Sequence, residues 1–342
     1  MKVLLIGGTG TISMAVTRLL AQKENVELYI LNRGSRVKDL PEKVTVIKAD
    51  INDEEAVKEA IKELDFDAVG EFIGFEPEQV LRDLRLFKGK TKQYIYISSA
   101  SAYNKPCKDY CITEGTALAN KYWDYSRKKI ECEQILMKEY QDNGFPVTIV
   151  RPSHTYDERK VPLGVHGSKG SYQVIKRMLE GKPVIIHGDG TSLWHATFNE
   201  DFAKGYVGLI GNKHAIGEAF QITNDETLTW NQIYETIADK LSVKLNPYYV
   251  ASSFLAAVSD YDYTGSLLGD KANCAVFDNS KLKRAVPGYA PSISFSEGIG
   301  RTIDYIMSHP ECQIEDPEFD NWCDRVIEAL ENAKKSVNGI DK

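Results

Sequence analysis

A glycine-containing turn near the N-terminus constrains the fold more than any other segment. The apolar run Lys2–Ile6 leads directly into Gly7–Ser13 (GGTGTIS), and a helical pattern follows. This strand, turn and helix order lets the backbone approach a pyrophosphate, whose charge the helix N-terminus favours. Ser13 replaces the third glycine of such loops, and a serine is still small enough for close helix-strand packing. The segment predicts dinucleotide binding; the alternative is a tight turn without a ligand.

Short β-branched runs alternate with helical periodicity from residue 2 to about residue 150. This alternation is typical of consecutive βαβ units. The longest helical pattern runs from about Asn120 to Tyr140, with Trp123, Ile130, Ile135 and Leu136 on one apolar side. We expect an α/β fold, a Rossmann-type doubly wound parallel sheet with a smaller, mixed C-terminal substrate lobe. The predicted strands are Lys2–Ile6, Val26–Leu31, Val44–Ile47, Ala68–Ile73, Gln93–Ser98 and Val147–Val150.

The pattern becomes irregular after Arg151, which suggests a change of domain. We expect a dinucleotide-binding domain over 1–152 and a substrate-binding lobe over 153–308, some of whose segments return to the first domain. Residues 309–342 are expected to form a helical extension, because Val326, Ile327, Leu330 and Ala333 recur at helical spacing.

Composition narrows the class of partner. The 342 residues carry a formal net charge of −7, and the sequence pI is about 5.5. This charge argues against nucleic acid and membrane surfaces as partners. The chain shows no run long enough for a signal peptide or a membrane span, so a cytoplasmic location is expected. The six cysteines are scattered, and no metal site is expected.

The end of the second predicted strand bears on the choice of cofactor. An acidic residue there would bind the adenosine ribose, but the chain reads Leu31–Arg36 (LNRGSR). Arg33 can pair with a 2′-phosphate, whereas Asn32 can bind a free ribose hydroxyl. The segment therefore favours NADP slightly over NAD, and a solvated surface role for Arg33 is the competing interpretation.

Two further strand ends are placed to line the adenine and ribose-phosphate path. They are Asp50-Ile51 after the third strand and Phe72-Ile73-Gly74 after the fourth. Ordinary turn and core positions are the alternative interpretation.

A tyrosine and a lysine at helical spacing follow a strand that ends in serines. Ser98 and Ser99 close the fifth strand, and Tyr125 and Lys129 come later on one face of the long helix. Positive charge from Lys129 favours a phenolate, which makes Tyr125 a candidate general acid/base. A second such pair, Tyr172 and Lys176, shows that spacing alone proves little, so the order of the motifs carries the argument. The alternative is a solvent-facing pair on an ordinary helix.

These motifs together resemble the extended short-chain dehydrogenase/reductase superfamily, in particular the NAD-dependent epimerase/dehydratase family. The resemblance extends to about residue 308. It rests on the glycine loop, Asp50-Ile51, Ile97–Tyr103, Tyr125 to Lys129 with Glu133, Arg151-Pro152, Gly188–Gly190 before Asn199–Ala203, and Phe277–Lys281 before Gly288–Pro291.

The resemblance implies roles for individual residues. Ser99 would hydrogen-bond the reacting hydroxyl, Tyr125 would move the proton, and Lys129 would hold the nicotinamide ribose. The cofactor contacts it implies, with those argued above, are Gly7, Thr9, Gly10, Thr11, Ile12, Asn32, Arg33, Asp50, Ile51, Phe72, Ile73, Gly74, Ser98, Tyr125, Lys129, Pro152 and Ser153.

The substrate half departs from family members that bind nucleotide sugars. Those members usually keep an asparagine after the sixth strand and an arginine ahead of the 199–203 region. Here Ser153-His154 and Ser192–His195 stand at those places. Trp194 is either a sugar-stacking platform or core, and the two histidines are expected to be hydrogen-bonded structural residues. The candidate substrate contacts are Ser101, His154, Trp194 and His195.

Three hypotheses of function follow. The first is an NAD(P)-dependent oxidoreductase, epimerase or dehydratase that acts on a sugar or sugar-like hydroxy/keto compound. The second is an NADPH-dependent carbonyl reductase. The third is a non-catalytic dinucleotide-sensing or RNA-associated protein, because a fold alone does not secure a function. The resemblance also implies a homodimer joined through the long helices.

Overall fold

The computed structural model describes residues 1–34, 39–337 and 339, so Ser35 and Arg36 of the loop discussed above lie outside the described residues. The strands are β1 (Lys2–Ile6), β2 (Glu27–Asn32), β3 (Thr45–Lys48), β4 (Ala68–Glu71), β5 (Tyr94–Ile97), β6 (Cys111–Ile112), β7 (Val147–Pro152), β8 (His154–Tyr156), β9 (Val184–His187), β10 (Leu193–Trp194), β11 (Ala196–Phe198), β12 (Glu218–Ile222), β13 (Leu228–Thr229), β14 (Pro247–Val250) and β15 (Val276–Phe277). The α-helices are α1 (Ser13–Ala21), α2 (Glu54–Ala60), α3 (Pro77–Phe87), α4 (Asp124–Asn143), α5 (Tyr172–Leu179), α6 (Asn199–Leu209), α7 (Trp230–Lys240), α8 (Ser252–Ala257), α9 (Ser280–Ala285), α10 (Phe295–Ser308) and α11 (Pro317–Val337).

A parallel sheet organises the N-terminal part of the fold. Within the described residues, seven strands pair in the order β12-β7-β5-β4-β1-β2-β3, and every pairing is parallel. The chain runs outward from β1 through β2 to β3 and then crosses back to β4. Ligands of such sheets bind beyond the carboxyl ends of the strands at this reversal, here between β1 and β4. The predicted doubly wound α/β fold is confirmed.

The strand that precedes the glycine loop is buried on both faces. Val3 and Leu5 belong to one hydrophobic core, and Leu4 and Ile6 belong to the core on the other side of the sheet. A strand with two covered faces needs apolar residues at successive positions. This requirement explains the unbroken apolar run and fixes the place where the loop emerges.

Element ends differ from the predicted ones where side chains hold the backbone. β4 ends at Glu71, two residues before the expected Ile73, because the Glu71 carboxyl accepts a hydrogen bond from the Ile73 amide at 2.5 Å. The long helix begins at Asp124 and not near Asn120. The Asn120 side chain accepts hydrogen bonds from the amides of Tyr122 and Trp123, which holds this segment in a turn. The expectation that Trp123 lies on the apolar side of the helix is therefore wrong.

The described residues group into two compact units. The first, Met1–Tyr156, His195–Thr227 and Ala275–Ile293, contains the seven-stranded sheet. The second comprises Asp157–Trp194, Leu228–Cys274 and Ser294–Lys342. The segments 195–227 and 275–293 of the expected substrate lobe group with the first unit, and the C-terminal helix groups with the second.

The C-terminal helix α11 packs within the second unit. Arg177 of α5 donates hydrogen bonds to Asp320 and Asp324 of α11, each at 2.7 Å. Val326 of α11 is buried, but Ala333, expected on its apolar face, is exposed. Among the described residues, the helices are too short or too polar to cross a membrane.

Candidate active site

The glycine loop is held in shape by its own serine. Ser13 Oγ donates to the Gly7 carbonyl at 2.7 Å and accepts from the Gly10 amide at 2.8 Å. Gly7 has φ +80°, and a Cβ there would lie 2.4 Å from Ile73 Cγ2. A side chain at position 7 would therefore be strained and would clash. Ser13 therefore stabilises the loop, because its hydroxyl bonds to the backbone of both Gly7 and Gly10.

Two cavities of the first unit meet at this loop. Gly7, Gly10 and Ile73 line both of them. The first, about 480 Å³, is also lined by Thr9, Leu31, Asn32, Arg33, Ala49, Asp50, Ile51 and Asn52. The second, about 400 Å³, is also lined by Thr11, Ile12, Ser13, Phe72, Phe75, Ile97, Ser98, Ser99, Tyr125, Lys129, Pro152, Ser153, His154 and Thr155. The predicted cofactor residues thus fall along one continuous path, apart from Gly74, which lines neither cavity.

The polar atoms along the path fit a dinucleotide. Asn32 Nδ2 in the first cavity and the hydroxyls of Ser98 and Thr155 in the second are buried, and they have no hydrogen-bond partner among the described residues. Buried polar groups are normally paired, so such orphaned atoms mark places for a ligand or water. Gly7 and Gly10 line both cavities, so backbone without a side chain faces the path where a pyrophosphate would lie. The residues present fit the cofactor that the sequence predicts.

Lys129 lies at the base of the second cavity. It is 1% exposed, and its Nζ donates to the carbonyls of Gly74 and Ile97, each at 2.7 Å. The same Nζ lies 4.7 Å from the ring centroid of Phe75 and 5.9 Å from that of Tyr125. Burial lowers the pKa of Lys129 to about 8. An ammonium has three N–H donors, so one beyond the two carbonyl contacts can serve a ligand hydroxyl.

The candidate catalytic residues are brought together. Ser99, Tyr125 and Lys129 all line the second cavity, and His154 lines it as well. The Tyr125 ring packs between Phe75, at 6.3 Å between centroids, and Trp123, at 5.1 Å. Phe75 was not predicted, although its position directly after Phe72-Ile73-Gly74 was a signal.

Three predicted substrate contacts lie elsewhere. Ser101 lines neither cavity, because its buried side chain bonds to Ser99 and Ser126. Trp194 is 2% exposed and packs on Trp230 in the second unit, so it is core and not a stacking platform. The two ring nitrogens of His195 contact the Asn224 carbonyl at 2.7 Å and the Thr227 hydroxyl at 2.9 Å, which fixes it as a structural residue.

The second tyrosine-lysine pair lies in the second unit. Tyr172 Oη donates to Gln313 at 3.3 Å, and Lys176 pairs with Glu315 at 2.7 Å. Both side chains therefore make local contacts with the segment before α11. They offer matched control positions for Tyr125 and Lys129.

The buried carboxyl group of Glu71 holds the backbone of Ile73, which lines both cavities. Glu71 is fully buried at the end of β4, and its neighbour Asp83 bonds to Arg82 at 2.8 Å and to Tyr94 at 2.7 Å. Burial, followed by the charge of Asp83, raises the pKa of Glu71 well above its usual range. The raised pKa favours the neutral form of Glu71, whose carboxyl oxygen accepts the hydrogen bond from the Ile73 amide. No motif in the sequence marked this role.

Replacing Glu71 with glutamine should flatten the pH dependence of stability. The unfolded carboxyl ionises at its usual pKa of 4.5, but the folded one stays protonated above it. The folded state then binds the extra proton, so the free energy of unfolding falls as pH rises above 4.5, by up to about 1.4 kcal/mol per pH unit. Glutamine mimics the neutral acid and does not titrate.

Urea unfolding of the wild type and the variant between about pH 5 and 8 measures this difference. We expect the free energy of unfolding of the variant to increase relative to that of the wild type as the pH rises. Glu78→Gln, on the exposed face of α3, is the control and should run parallel to the wild type. Parallel curves for Glu71→Gln would contradict the assignment.

Comparisons with known proteins agree with this geometry. The model of the NAD dependent epimerase/dehydratase family matches residues 3–88 and 77–223. The chain is 26% identical over 251 residues to chloroplast stem-loop binding protein of 41 kDa b from Arabidopsis thaliana, covering 69% of this chain and 62% of that protein. It is 25% identical over 215 residues to an uncharacterized UDP-glucose epimerase, YtcB, from Bacillus subtilis, covering 63% of this chain and 60% of that protein. The matches therefore span about 60% of these relatives' own lengths.

A solved structure matches over nearly the whole chain. UDP-glucuronic acid 4-epimerase from Bacillus cereus, in complex with UDP-glucuronic acid and NAD, superimposes with a TM-score of 0.72 at 20% identity. The match covers 90% of this chain and 99% of that one. At this identity the likeness establishes the fold alone.

Proposed function

Because the chain belongs to the NAD-dependent epimerase/dehydratase family, we propose that it is a nicotinamide-dependent oxidoreductase, epimerase or dehydratase acting on a sugar or sugar-like hydroxy/keto compound. One observation carries the proposal: Ser99, Tyr125 and Lys129 line a single cavity beside the glycine loop. The names of two relatives, a UDP-glucose epimerase and a UDP-glucuronic acid 4-epimerase, support a sugar substrate.

Each residue of the site has a separate role in the proposed reaction. A bound nicotinamide supplies a hydride donor or acceptor. Tyr125 exchanges the proton of the reacting hydroxyl, and Ser99 hydrogen-bonds the same oxygen. Lys129 binds the nicotinamide ribose, and its positive charge, 5.9 Å from the Tyr125 ring centroid, favours the phenolate. Such acid-base help is worth about 10²- to 10⁴-fold in rate.

Cofactor affinity should weaken as pH rises through about 8. Below that pH, Lys129 is an ammonium that can donate to the ribose, and above it the amine is neutral. A hydrogen bond to a charged donor contributes about 1.5–3 kcal/mol, so the dissociation constant of NAD should rise by about tenfold or more. Calorimetric titration across this range measures the change. Constant affinity to well above pH 8 would contradict the ribose role, provided circular dichroism shows an intact fold.

The end of β2 and the residue after it bear on the choice between NAD and NADP. The solved UDP-glucuronic acid 4-epimerase is a complex with NAD. In this chain Arg33 is exposed on the wall of the first cavity, where it can reach a 2′-phosphate. We propose that the site accepts NADP as well as NAD, with Asn32 meeting a free ribose hydroxyl.

Replacing Arg33 with alanine separates the two cofactors. A charged contact to the 2′-phosphate is worth about 1.5–3 kcal/mol, so the variant should lose about tenfold or more in NADP affinity. NAD affinity should stay unchanged, and it serves as the internal control in the same titration. Equal effects on both cofactors would contradict a phosphate contact.

Direct turnover tests the proposed activity. The protein is saturated with NAD or NADP and supplied with UDP-glucose, UDP-glucuronic acid and simple sugar ketones, and products are identified by NMR. Conversion of at least one compound is expected. An epimerase leaves the cofactor unchanged after each cycle, whereas the alternative, a carbonyl reductase, consumes NADPH. Cofactor binding without any conversion across the panel would contradict an enzymatic role for the site.

A second candidate function comes from one relative's name. Stem-loop binding is named for the Arabidopsis protein, which favours the non-catalytic, RNA-associated hypothesis. The net charge of −7 opposes it, because nucleic-acid affinity rests mainly on cationic contacts. Fluorescence anisotropy with a labelled RNA stem-loop at moderate salt decides the matter. Tight binding together with no turnover would favour this candidate.

We also propose a cytoplasmic homodimer joined through the long helices, including α4. That helix carries Tyr125 in its first turn and extends over Asp124–Asn143. Sedimentation equilibrium should give twice the chain mass of 38.4 kDa.

A further inference from the structure

Three serine hydroxyls form a chain from the long helix to the candidate site. Ser126 Oγ, at the start of α4, donates to Ser101 Oγ at 2.7 Å. Ser101 Oγ lies 2.8 Å from Ser99 Oγ, which lines the second cavity. Ser126 and Ser101 are both buried, so water does not compete for the bond between them. These two hydrogen bonds link Ser99 to Ser126, the residue directly after Tyr125.

Counting hydrogens gives this chain a direction. Each hydroxyl carries one hydrogen. Either oxygen of the Ser99–Ser101 pair can donate, but Ser126 already donates to Ser101 Oγ, so Ser99 Oγ is the hydroxyl contact that remains for the hydrogen of Ser101. Ser99 Oγ also accepts from the Ser101 amide at 3.1 Å. With Ser101 as the donor, both contacts occupy acceptor positions of Ser99, and the hydrogen of Ser99 is free for the cavity that this residue lines.

We propose that Ser101 and Ser126 are positioning residues that hold Ser99 as a hydrogen-bond donor towards the reacting oxygen. The inference rests on the proposed function, since it specifies how that site treats its substrate. A fixed donor complements a carbonyl oxygen, whose lone pairs can only accept. The site is thereby matched to the keto form of the reacting carbon, while Tyr125 handles the proton.

The backbone around the chain is fixed by Asn120. Its Nδ2 donates to the Ser101 carbonyl at 2.8 Å. Its Oδ1 accepts from the amides of Tyr122 and Trp123, each at 3.1 Å, just before α4 begins. The Asn120 side chain thus connects the Ser101 backbone to the turn before α4, and the Ser126 hydroxyl connects α4 itself to the Ser101 side chain. Ser99 and Tyr125 keep their relative positions as a result.

A double-mutant cycle tests the energetic link, on the compound that the wild type converts. Ser126→Ala should lower kcat about three- to tenfold without changing the KM for cofactor, as expected for one buried hydroxyl bond. In a Ser99→Ala background the same change should have no further effect, because the donor that it orients is gone. Ser171→Ala, a buried serine of the second unit, controls for simple loss of a hydroxyl. Additive losses would overturn the proposal and leave Ser126 a merely structural residue.

Neutron diffraction tests the orientation without any substrate. In a deuterated crystal, the deuteron of Ser126 should point to Ser101, that of Ser101 to Ser99, and that of Ser99 into the cavity. A Ser99 deuteron pointing back to Ser101 would overturn the proposal even in an active enzyme. The predicted orientation in a protein that converts no compound would uphold the hydroxyl chain and count against the proposed function alone.

Discussion

Replacement of Tyr125 with phenylalanine is expected to lower turnover about 10²- to 10⁴-fold, the range for loss of a general acid/base. The substitution removes only the hydroxyl. The ring should stay in place because it packs between Phe75 and Trp123. Cofactor affinity should be nearly unchanged, since Lys129 and the glycine loop are intact. The loss should therefore appear in kcat and not in binding.

The matched control is Tyr172→Phe, the second tyrosine followed four residues later by a lysine. Its hydroxyl donates to Gln313, and both residues belong to the second unit, whereas Ser99, Tyr125 and Lys129 belong to the first. Steady-state kinetics and calorimetric cofactor titration are measured on both variants and the wild type. Unchanged turnover in Tyr125→Phe would remove this residue from catalysis. Equal losses in the two variants would point to a general effect on folding.

Replacement of Arg151 with methionine is expected to destabilise the protein by about 3–5 kcal/mol. The guanidinium makes three hydrogen bonds to the Glu133 carboxylate, at 2.9 Å and 3.3 Å from Nε and at 2.6 Å from Nη2, and both side chains are buried. Methionine fills the space but leaves a buried carboxylate without its partner. That cost exceeds the value of the pair itself, because desolvation of the charge remains.

Two comparisons isolate this effect in chemical unfolding. Arg85→Met breaks a solvent-exposed pair with Glu54 and should cost far less stability than the loss of Arg151, because water screens exposed charges. The double variant Arg151→Met with Glu133→Leu removes both charges and should recover much of the loss. A single Arg151 variant as stable as the Arg85 variant would show that Glu133 finds another partner or a proton at little cost.

Much of the fold could be predicted because local patterns and tertiary packing agree. β1 matches its predicted bounds, since a strand covered on both faces must be apolar throughout. The glycine loop follows from the same logic, because a left-handed residue at position 7 admits little but glycine. Ser99, Tyr125 and Lys129 were predicted from their order along the chain, and the structure brings them to one cavity.

Features that depend on distant partners could not be predicted. Asn120 moves the start of α4 by capping the preceding turn with its side chain, which a hydrophobic pattern does not reveal. The indole ring of Trp194 is of a type that can stack on a sugar. It is buried instead, against Trp230, which lies 36 positions further along the sequence. The pKa of Glu71 is raised because the fold buries its carboxyl beside Asp83, and the local sequence shows neither the burial nor the neighbour.

The crystal structure of the protein bound to NAD tests the central claim most directly. The pyrophosphate should lie on the Gly7–Ser13 loop, with the adenine in the cavity that Asp50 and Ile51 line and the nicotinamide in the cavity of Ser99 and Tyr125. Lys129 Nζ should lie about 3 Å from a ribose hydroxyl. A dinucleotide bound away from the loop, or a nicotinamide outside the cavity of Tyr125, would contradict the account.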